Sequence, residues 1–114
     1  MTAARKALGA FGEDKAAAWY ERNGYRVVAR NWRCRDGELD IVARRGSTVV
    51  FCEVKTRASA AFGVPAEAVT VAKQRKLRAL AVLWLRATGV RAGELRFDVA
   101  SVLGGKLEII EAAF

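Results

Sequence analysis

The sequence predicts an α/β fold in which a central five-stranded mixed sheet is flanked by helices. Segments of helical and strand character follow one another in the order helix, three strands, helix, two strands, and such an order is typical of a sheet covered by helices. The 114 residues suit a single domain over positions 1–114. Hydrophobic residues make up 53% of the chain, which is enough to build a folded interior.

The first elements are predicted from composition and from one glycine. A helix is predicted over residues 8–23, because alanine is frequent there and Gly24 is a natural C-terminal cap. The stretch "YRVVARN" (25–31) favours a strand, and "WRCRDG" (32–37) favours a basic turn.

A hairpin is predicted next, with strands over residues 37–44 and 48–55. The two residues at 46–47 form its turn, and glycine comes first, as a type II′ turn prefers. Counting outward from this turn places Asp40 opposite Glu53. Both acids then lie within strands that are otherwise mainly apolar, which is an unusual place for charge.

The second half of the chain is predicted from its breakers and its helical periodicity. A longer loop is expected over residues 56–68, and a helix over residues 70–88 that ends at Gly89. Two closing strands are predicted over 94–102 and 106–114, joined by a Gly-Gly turn.

The opposed carboxylates of Asp40 and Glu53 need a compensating charge. Directly opposed residues have Cβ atoms about 4.5–5.5 Å apart, and like charges there are destabilising. A divalent cation with oxygen ligands would offset the repulsion, and Mg²⁺ commonly uses one or two protein carboxylates. Lys55 can supply only part of the compensation. In the alternative interpretation both acids point into solvent and pair with Arg33 or Arg57.

Glu13 is a third acid of interest, because it shares a helix face with apolar residues. Ala16, Ala17 and Tyr20 follow it at spacings of three, four and seven, which is the stripe that should face the sheet. Glu13 is therefore predicted to reach the Asp40–Glu53 pair as a further metal or water ligand. The alternative is an acid that the dipole favours near a helix N-terminus.

The charge of the chain indicates a polyanionic partner. It carries 20 Lys and Arg against 12 Asp and Glu, which gives a net charge of +8 and a pI of about 10.2. Such a balance favours nucleic acid, although a basic surface kept for solubility is the alternative. The predicted backbone-binding residues are Arg33, Arg35, Arg57, Lys73, Arg75 and Lys76.

A cytoplasmic location without a membrane partner is expected. No apolar run approaches the roughly 18 residues of a spanning helix, and Glu13 and Asp14 interrupt the N-terminal stretch where a signal peptide would be apolar. Cys34 and Cys52 lack C-x-x-C spacing and are expected to remain thiols. The absence of histidine argues against a structural zinc site.

Asp40 followed by Glu53-Val54-Lys55 on paired strands resembles the active-site motif of the PD-(D/E)xK, or restriction-endonuclease-like, nucleases. The segments "GEDKAAAWYERNGYRVVARNWRCRDGELDIVA", "VVFCEVKTR", "FGVPAEAV" and "RFDV" resemble the bacterial YraN family. This resemblance covers residues from about 9 to 114, and that family is similar in fold to archaeal Holliday junction resolvases.

The resemblance implies a restriction-endonuclease-like fold and a metal site for Mg²⁺ or Mn²⁺. Asp40, Glu53 and the backbone carbonyl of Val54 would be ligands, and Lys55 would position or activate the attacking water. Glu13 is similar to the helix-one acid of the resolvases. Resolvases act as dimers, so the resemblance also suggests a homodimer.

The sequence departs from relatives of this nuclease class at two places. Leu39 stands where the motif name has proline, a common difference. Gln74 is followed by Arg78 where some relatives have Q-x-x-x-Tyr, so no role is assigned to Gln74.

The main functional hypothesis is a metal-dependent endonuclease that hydrolyses phosphodiester bonds in DNA, with branched DNA suggested by the resemblance alone. The alternative is a nucleic-acid-binding module that keeps a nuclease-like fold without turnover. A protein-interaction adaptor is a third hypothesis, for which no exposed apolar stripe is evident in the sequence.

Overall fold

The computed structural model describes residues 3–58 and 69–114. Helix α1 spans Ala3–Arg22, and strands β1, β2 and β3 span Arg26–Cys34, Gly37–Arg45 and Thr48–Arg57. Helix α2 spans Val71–Thr88 and is followed by β4 (Glu94–Leu103) and β5 (Lys106–Ile110). The predicted order of elements is confirmed, and residues 59–68 of the predicted loop lie outside the described residues.

The five strands form one sheet in the order β1-β2-β3-β4-β5. Neighbouring strands are antiparallel except β3 and β4, which are parallel. A parallel pair needs a crossover connection, and α2 lies within it. The predicted five-stranded mixed sheet flanked by helices is therefore confirmed, and it is compatible with a restriction-endonuclease-like fold.

Helix α1 packs on one face of the sheet through the stripe expected from its sequence. Ala16, Ala17 and Tyr20 are at most 5% exposed, and they share a buried cluster with Ile41 and Val50. Full burial of one aliphatic side chain of this size stabilises a fold by about 1.5–3 kcal/mol. This packing sets the distance between α1 and the strands β2 and β3.

Helix α2 packs on the opposite face. Leu77, Leu80 and Trp84 form a second buried cluster with Val42 and Phe51. Residues of β2 and β3 that contact α2 alternate with those that contact α1, as successive side chains of a strand must. The sheet is thus covered on both sides, which explains its mainly apolar strands.

Capping residues determine where α2 begins and ends. The Thr70 Oγ1 accepts a hydrogen bond from the Lys73 N–H at 3.2 Å, and Gly89 adopts a left-handed φ of 71° and donates its N–H to the Leu85 carbonyl. These are the boundaries that the sequence predicts. Within residues 3–58 and 69–114, no helix is long and apolar enough to cross a membrane.

Strand β3 ends at Arg57, two residues into the predicted loop, because its pairing with β4 continues to Leu103. Three other boundaries differ from prediction by three residues or more. Helix α1 begins at Ala3, because the residues before position 8 are also good helix formers. Strand β1 continues to Cys34, so the basic turn is shorter than expected. Strand β5 ends at Ile110, because Ala112 adopts a φ of 49° and donates its N–H to Asp98.

Candidate active site

The hairpin of β2 and β3 follows the predicted register from its turn but not to its polar end. Gly46 has a φ of 59°, as the first position of a type II′ turn requires. The regular pairing runs from this turn to Ile41 and Cys52. Asp40 and Glu53 lie one residue beyond the last regular pair, at the place where the two strands separate.

Asp40 interrupts the ladder because its side chain accepts a backbone hydrogen bond. The Asp40 Oδ2 takes the Val54 N–H at 2.8 Å. Leu39 packs with the α2 cluster and Ile41 with the α1 cluster, although residues two apart share a face in a regular strand. Across from Asp40 on β1, Asn31 has a left-handed φ of 51°. Both strands are therefore irregular at the same level.

The environment of Asp40 makes its negative charge unfavourable. Burial, and then the charge of Glu53, raise the pKa of Asp40 to about 7, although the hydrogen bond from the Val54 N–H acts to lower it. Asp40 and Glu53 directly follow the last regular pair, Ile41 and Cys52, so the two carboxylates belong to one site. A cation beside Asp40 would remove most of this penalty.

Glu53 is 9% exposed, and its carboxylate forms salt bridges with two lysine ammonium groups. The Lys73 Nζ lies 2.8 Å from the Glu53 Oε1, and the Lys55 Nζ lies 3.4 Å from the same oxygen. Lys55 is on β3 two residues from Glu53, whereas Lys73 comes from the first turn of α2. Neither Arg33 nor Arg57 pairs with Glu53, in contrast to the alternative interpretation of the sequence.

The two lysines affect each other as well as Glu53. Burial and then the contact with Lys73 lower the pKa of Lys55. Burial also acts to lower the pKa of Lys73, but its hydrogen bonds with Glu53 and Lys55 outweigh burial and raise it. The cluster of Asp40, Glu53, Lys55 and Lys73, here called the acid–lysine cluster, thus contains two carboxylates and two amines.

Glu13 lies beside this cluster and is tied to β1. It is 8% exposed, and its Oε1 accepts hydrogen bonds from Arg30 Nε and Asn31 Nδ2, both at 2.9 Å. Among residues 3–58 and 69–114, no three Cys, Asp or Glu side chains lie close enough together to hold a metal ion by themselves. Glu13 therefore contacts the strand segment opposite Asp40, and its role as a metal or water ligand stays a prediction.

Gly12 allows α1 to approach β3 closely beside Glu13. A Cβ atom at position 12 would overlap the Thr56 Oγ1 and would lie 3.0 Å from the Thr56 Cβ. Any larger residue would have to push the helix away from the strand. The glycine therefore sets how near Glu13 comes to the end of β3.

The donor atoms at the end of the hairpin suit a hard divalent cation. Asp40 and Glu53 offer carboxylate oxygens. Residues in a strand direct their N–H and carbonyl to the same neighbour, so the Val54 carbonyl is directed to the Asp40 side together with its N–H. An all-oxygen set with few protein ligands fits Mg²⁺ or Mn²⁺, with water or phosphate oxygens in the remaining positions.

The residues predicted to bind phosphates differ in their contacts and in their exposure. Lys73 contacts Glu53, and Arg57 at the end of β3 has a buried Nε without a hydrogen-bond partner among the described residues. Arg33 pairs with Glu38 at 3.1 Å. Three others, Arg35, Arg75 and Lys76, are exposed.

Two residues of the site are not assigned to it by the sequence. The sequence predicts Lys73 only as a phosphate contact, yet this residue precedes Leu77 by four positions and so continues the buried stripe of α2. That spacing is a signal that could have placed it over the sheet. Asn31 gives no comparable signal, because its left-handed backbone departs from the strand pattern.

Comparison with known proteins places these residues within a shared segment. The model of the Uncharacterised protein family UPF0102 matches residues 12–102, which include all four residues of the acid–lysine cluster. A UPF0102 protein of Beutenbergia cavernae is 57% identical over 100 residues, covering 88% of this chain and 85% of that protein.

Other relatives are similar to comparable extents. A UPF0102 protein of Geobacter sulfurreducens is 54% identical over 97 residues, covering 85% of this chain and 76% of that protein. One from Nocardia farcinica is 52% identical over 99 residues, covering 87% of this chain and 78% of that protein. The resemblance to the YraN family is confirmed, and the chain belongs to that family, UPF0102.

Proposed function

We propose that this protein is a metal-dependent DNA endonuclease that hydrolyses phosphodiester bonds at the acid–lysine cluster. The observation that carries the proposal is the position of the half-buried Asp40 and the buried Glu53, just beyond the last regular pair of β2 and β3. Buried acids in a purely structural site are usually satisfied by fixed partners, whereas the charge of Asp40 remains unfavourable here.

The residues of the chain have distinct roles in this proposal. Asp40, Glu53 and the Val54 carbonyl would hold Mg²⁺ or Mn²⁺. A divalent ion in such a site supplies a bound water of lowered pKa and neutralises charge on the phosphate. The Lys55 ammonium stabilises the negative charge that develops on the phosphate oxygens.

The basic residues around the cluster support nucleic acid as the substrate. Exposed Arg35, Arg75 and Lys76 would bind phosphates without reading bases. The resemblance to resolvases suggests branched DNA, and a homodimer would present two such sites to a junction.

A cleavage assay tests the proposal. Labelled four-way junction, flap, single-stranded and linear duplex DNA are incubated with Mg²⁺, Mn²⁺ or EDTA. Cleavage should require the metal and should be lost in Asp40→Ala. Asp36→Asn removes an exposed carboxylate from the β1–β2 turn, and this variant should cleave normally.

A non-catalytic DNA-binding module is the second candidate, and one contact favours it. Lys73 and Lys55 both contact the Glu53 carboxylate, so the charge of Glu53 is balanced without a metal. Tight, salt-sensitive DNA binding by the wild type, without cleavage of any of the four substrates, would favour this function over the nuclease.

A further inference from the structure

Lys73 contacts one of the two carboxylate oxygens that Glu53 would offer to a metal ion. Its Nζ is 2.8 Å from the Glu53 Oε1, a shorter contact than that of Lys55 with the same oxygen. The Lys73 side chain is 37% exposed and the Lys55 side chain 20% exposed. Lys73 is therefore the cation that can leave the cluster more easily.

The charges of the acid–lysine cluster make a simple addition of metal unfavourable. Two lysine side chains already contact Glu53, and a divalent ion on Glu53 would bring two further positive charges against both of them. Like charges within a few ångströms repel strongly outside bulk water. A metal ion and Lys73 are thus alternative partners of the Glu53 carboxylate.

The origin of Lys73 in α2 gives it room to move. It lies in the first turn of the helix, where its backbone N–H is held by Thr70 and its side chain reaches solvent. The four-carbon stem is flexible, as in any lysine. Lys55, in contrast, is part of β3 and is paired to β4 by its backbone.

We propose that Lys73 is a built-in counter-ion, which neutralises Glu53 when no metal is bound and is displaced when a divalent cation binds there. After displacement the Lys73 ammonium lies near the N-terminus of α2, beside the proposed phosphate contacts Arg75 and Lys76. Backbone N–H groups at a helix N-terminus also favour anions. The proposal rests on the proposed metal site, and it adds a residue that sets how tightly that site binds its ion.

Mn²⁺ binding to the DNA-free protein, measured by titration calorimetry, tests the proposal. Lys73→Met removes the competing charge and keeps the length of the side chain, so Mn²⁺ should bind about tenfold more tightly, a usual size of coupling between two ligands. Lys73→Arg retains a competing cation and should bind Mn²⁺ nearly as the wild type does. Arg86→Met, at the other end of α2, removes one charge far from the cluster and should leave the affinity unchanged.

The outcomes separate this proposal from the one on which it rests. No Mn²⁺ binding by either the wild type or Lys73→Met would overturn the metal site and the nuclease together. Binding by the wild type with equal or weaker binding by Lys73→Met would overturn the counter-ion role alone. Lys73→Gln is measured in parallel, so that a folding defect of one variant, detected by circular dichroism, does not decide the result.

Discussion

The Tyr20 hydroxyl donates a hydrogen bond of 2.6 Å to the Asp98 Oδ2 across the interface of α1 and β4. Asp98 is fully buried, and it also accepts two bonds from Arg96 and one from the Ala112 N–H, each of 2.9 Å. Both oxygens of this buried carboxylate therefore accept hydrogen bonds from neighbouring residues. It differs in this respect from Asp40, and it has a structural role.

Tyr20→Phe should lower the free energy of unfolding by about 1–3 kcal/mol, because it removes one donor from a buried charge. Tyr25→Phe is the matched control, since the buried Tyr25 hydroxyl has no hydrogen-bond partner among the described residues. Urea denaturation of both variants measures the difference. Equal losses in the two variants would show that the bond to Asp98 contributes nothing specific.

Asp40→Asn should stabilise the metal-free protein at alkaline pH. The pKa of Asp40 is about 7 in the folded protein and near 3.8 for an unperturbed carboxyl, so the folded state binds this proton more tightly. Wild-type stability falls as pH rises between these values, and the full penalty remains above pH 7. At pH 8 the variant should gain about 2–4 kcal/mol, and near pH 4 the gain should vanish.

Urea denaturation in EDTA at several pH values measures this effect. The amide side chain introduced by Asp40→Asn still offers an oxygen to the Val54 N–H, so the backbone contact is preserved. Asp36→Asn, an exposed control, should show no comparable pH-dependent gain. A gain of the same size at pH 4 and pH 8 would contradict an unfavourable charge at position 40.

Lys55→Met should lower kcat for metal-dependent cleavage by about 10²–10³-fold, the usual effect of losing one group that stabilises transition-state charge. Mn²⁺ binding should persist, because the proposed oxygen ligands are unchanged. Single-turnover cleavage and calorimetry on the same preparation measure the two quantities. Unchanged kcat would remove Lys55 from the catalytic residues.

Gly12→Ala should destabilise the fold by about 1–3 kcal/mol, because the added methyl group overlaps Thr56 and separates α1 from β3. Gly9→Ala, in the same helix, meets no atom within 4 Å and should stabilise the protein by about 0.5–1 kcal/mol. Thermal or urea unfolding of both variants checks the prediction. The two variants should change the free energy of unfolding in opposite directions. A more stable Gly12→Ala protein would show that the close approach of α1 to β3 does not restrict position 12.

Arg35→Ala and Arg75→Ala should weaken DNA binding to a similar degree for all sequences. Each phosphate contact that is lost should reduce the slope of log affinity against log salt by about 0.9 for duplex DNA. Fluorescence anisotropy at several salt concentrations measures the slope, with the distant Arg91→Ala as a control. An unchanged slope would exclude the mutated side chain from the DNA interface.

Most of the fold could be predicted from local signals in the sequence. Gly24, Gly46 and Gly89 mark true boundaries, because each adopts a backbone conformation that other residues avoid. The stripe of Ala16, Ala17 and Tyr20 likewise assigns the buried face of α1 correctly. These features depend on a few neighbouring residues, and so a single sequence suffices.

The geometry of the candidate site was less predictable, because it depends on departures from regular structure. The pairing of Asp40 with Glu53 is expected to continue the ladder, but the Asp40 carboxylate takes the Val54 N–H and ends it. The approach of Lys73 to Glu53 depends on where α2 crosses the sheet. No local pattern determines that crossing, although the helical periodicity of α2 is consistent with it.

The parallel pairing of β3 with β4 has a consequence for the order of folding. Strands β1 to β3 are joined by tight turns, whereas Thr48 pairs with Glu94 only after the long crossover that contains α2. Local contacts form sooner than distant ones, so Asp40 and Glu53 meet before Lys73 reaches them. We therefore expect a nascent hairpin in which Lys55 alone offsets the charge of two acids, and mild acidity or divalent ions should accelerate its formation.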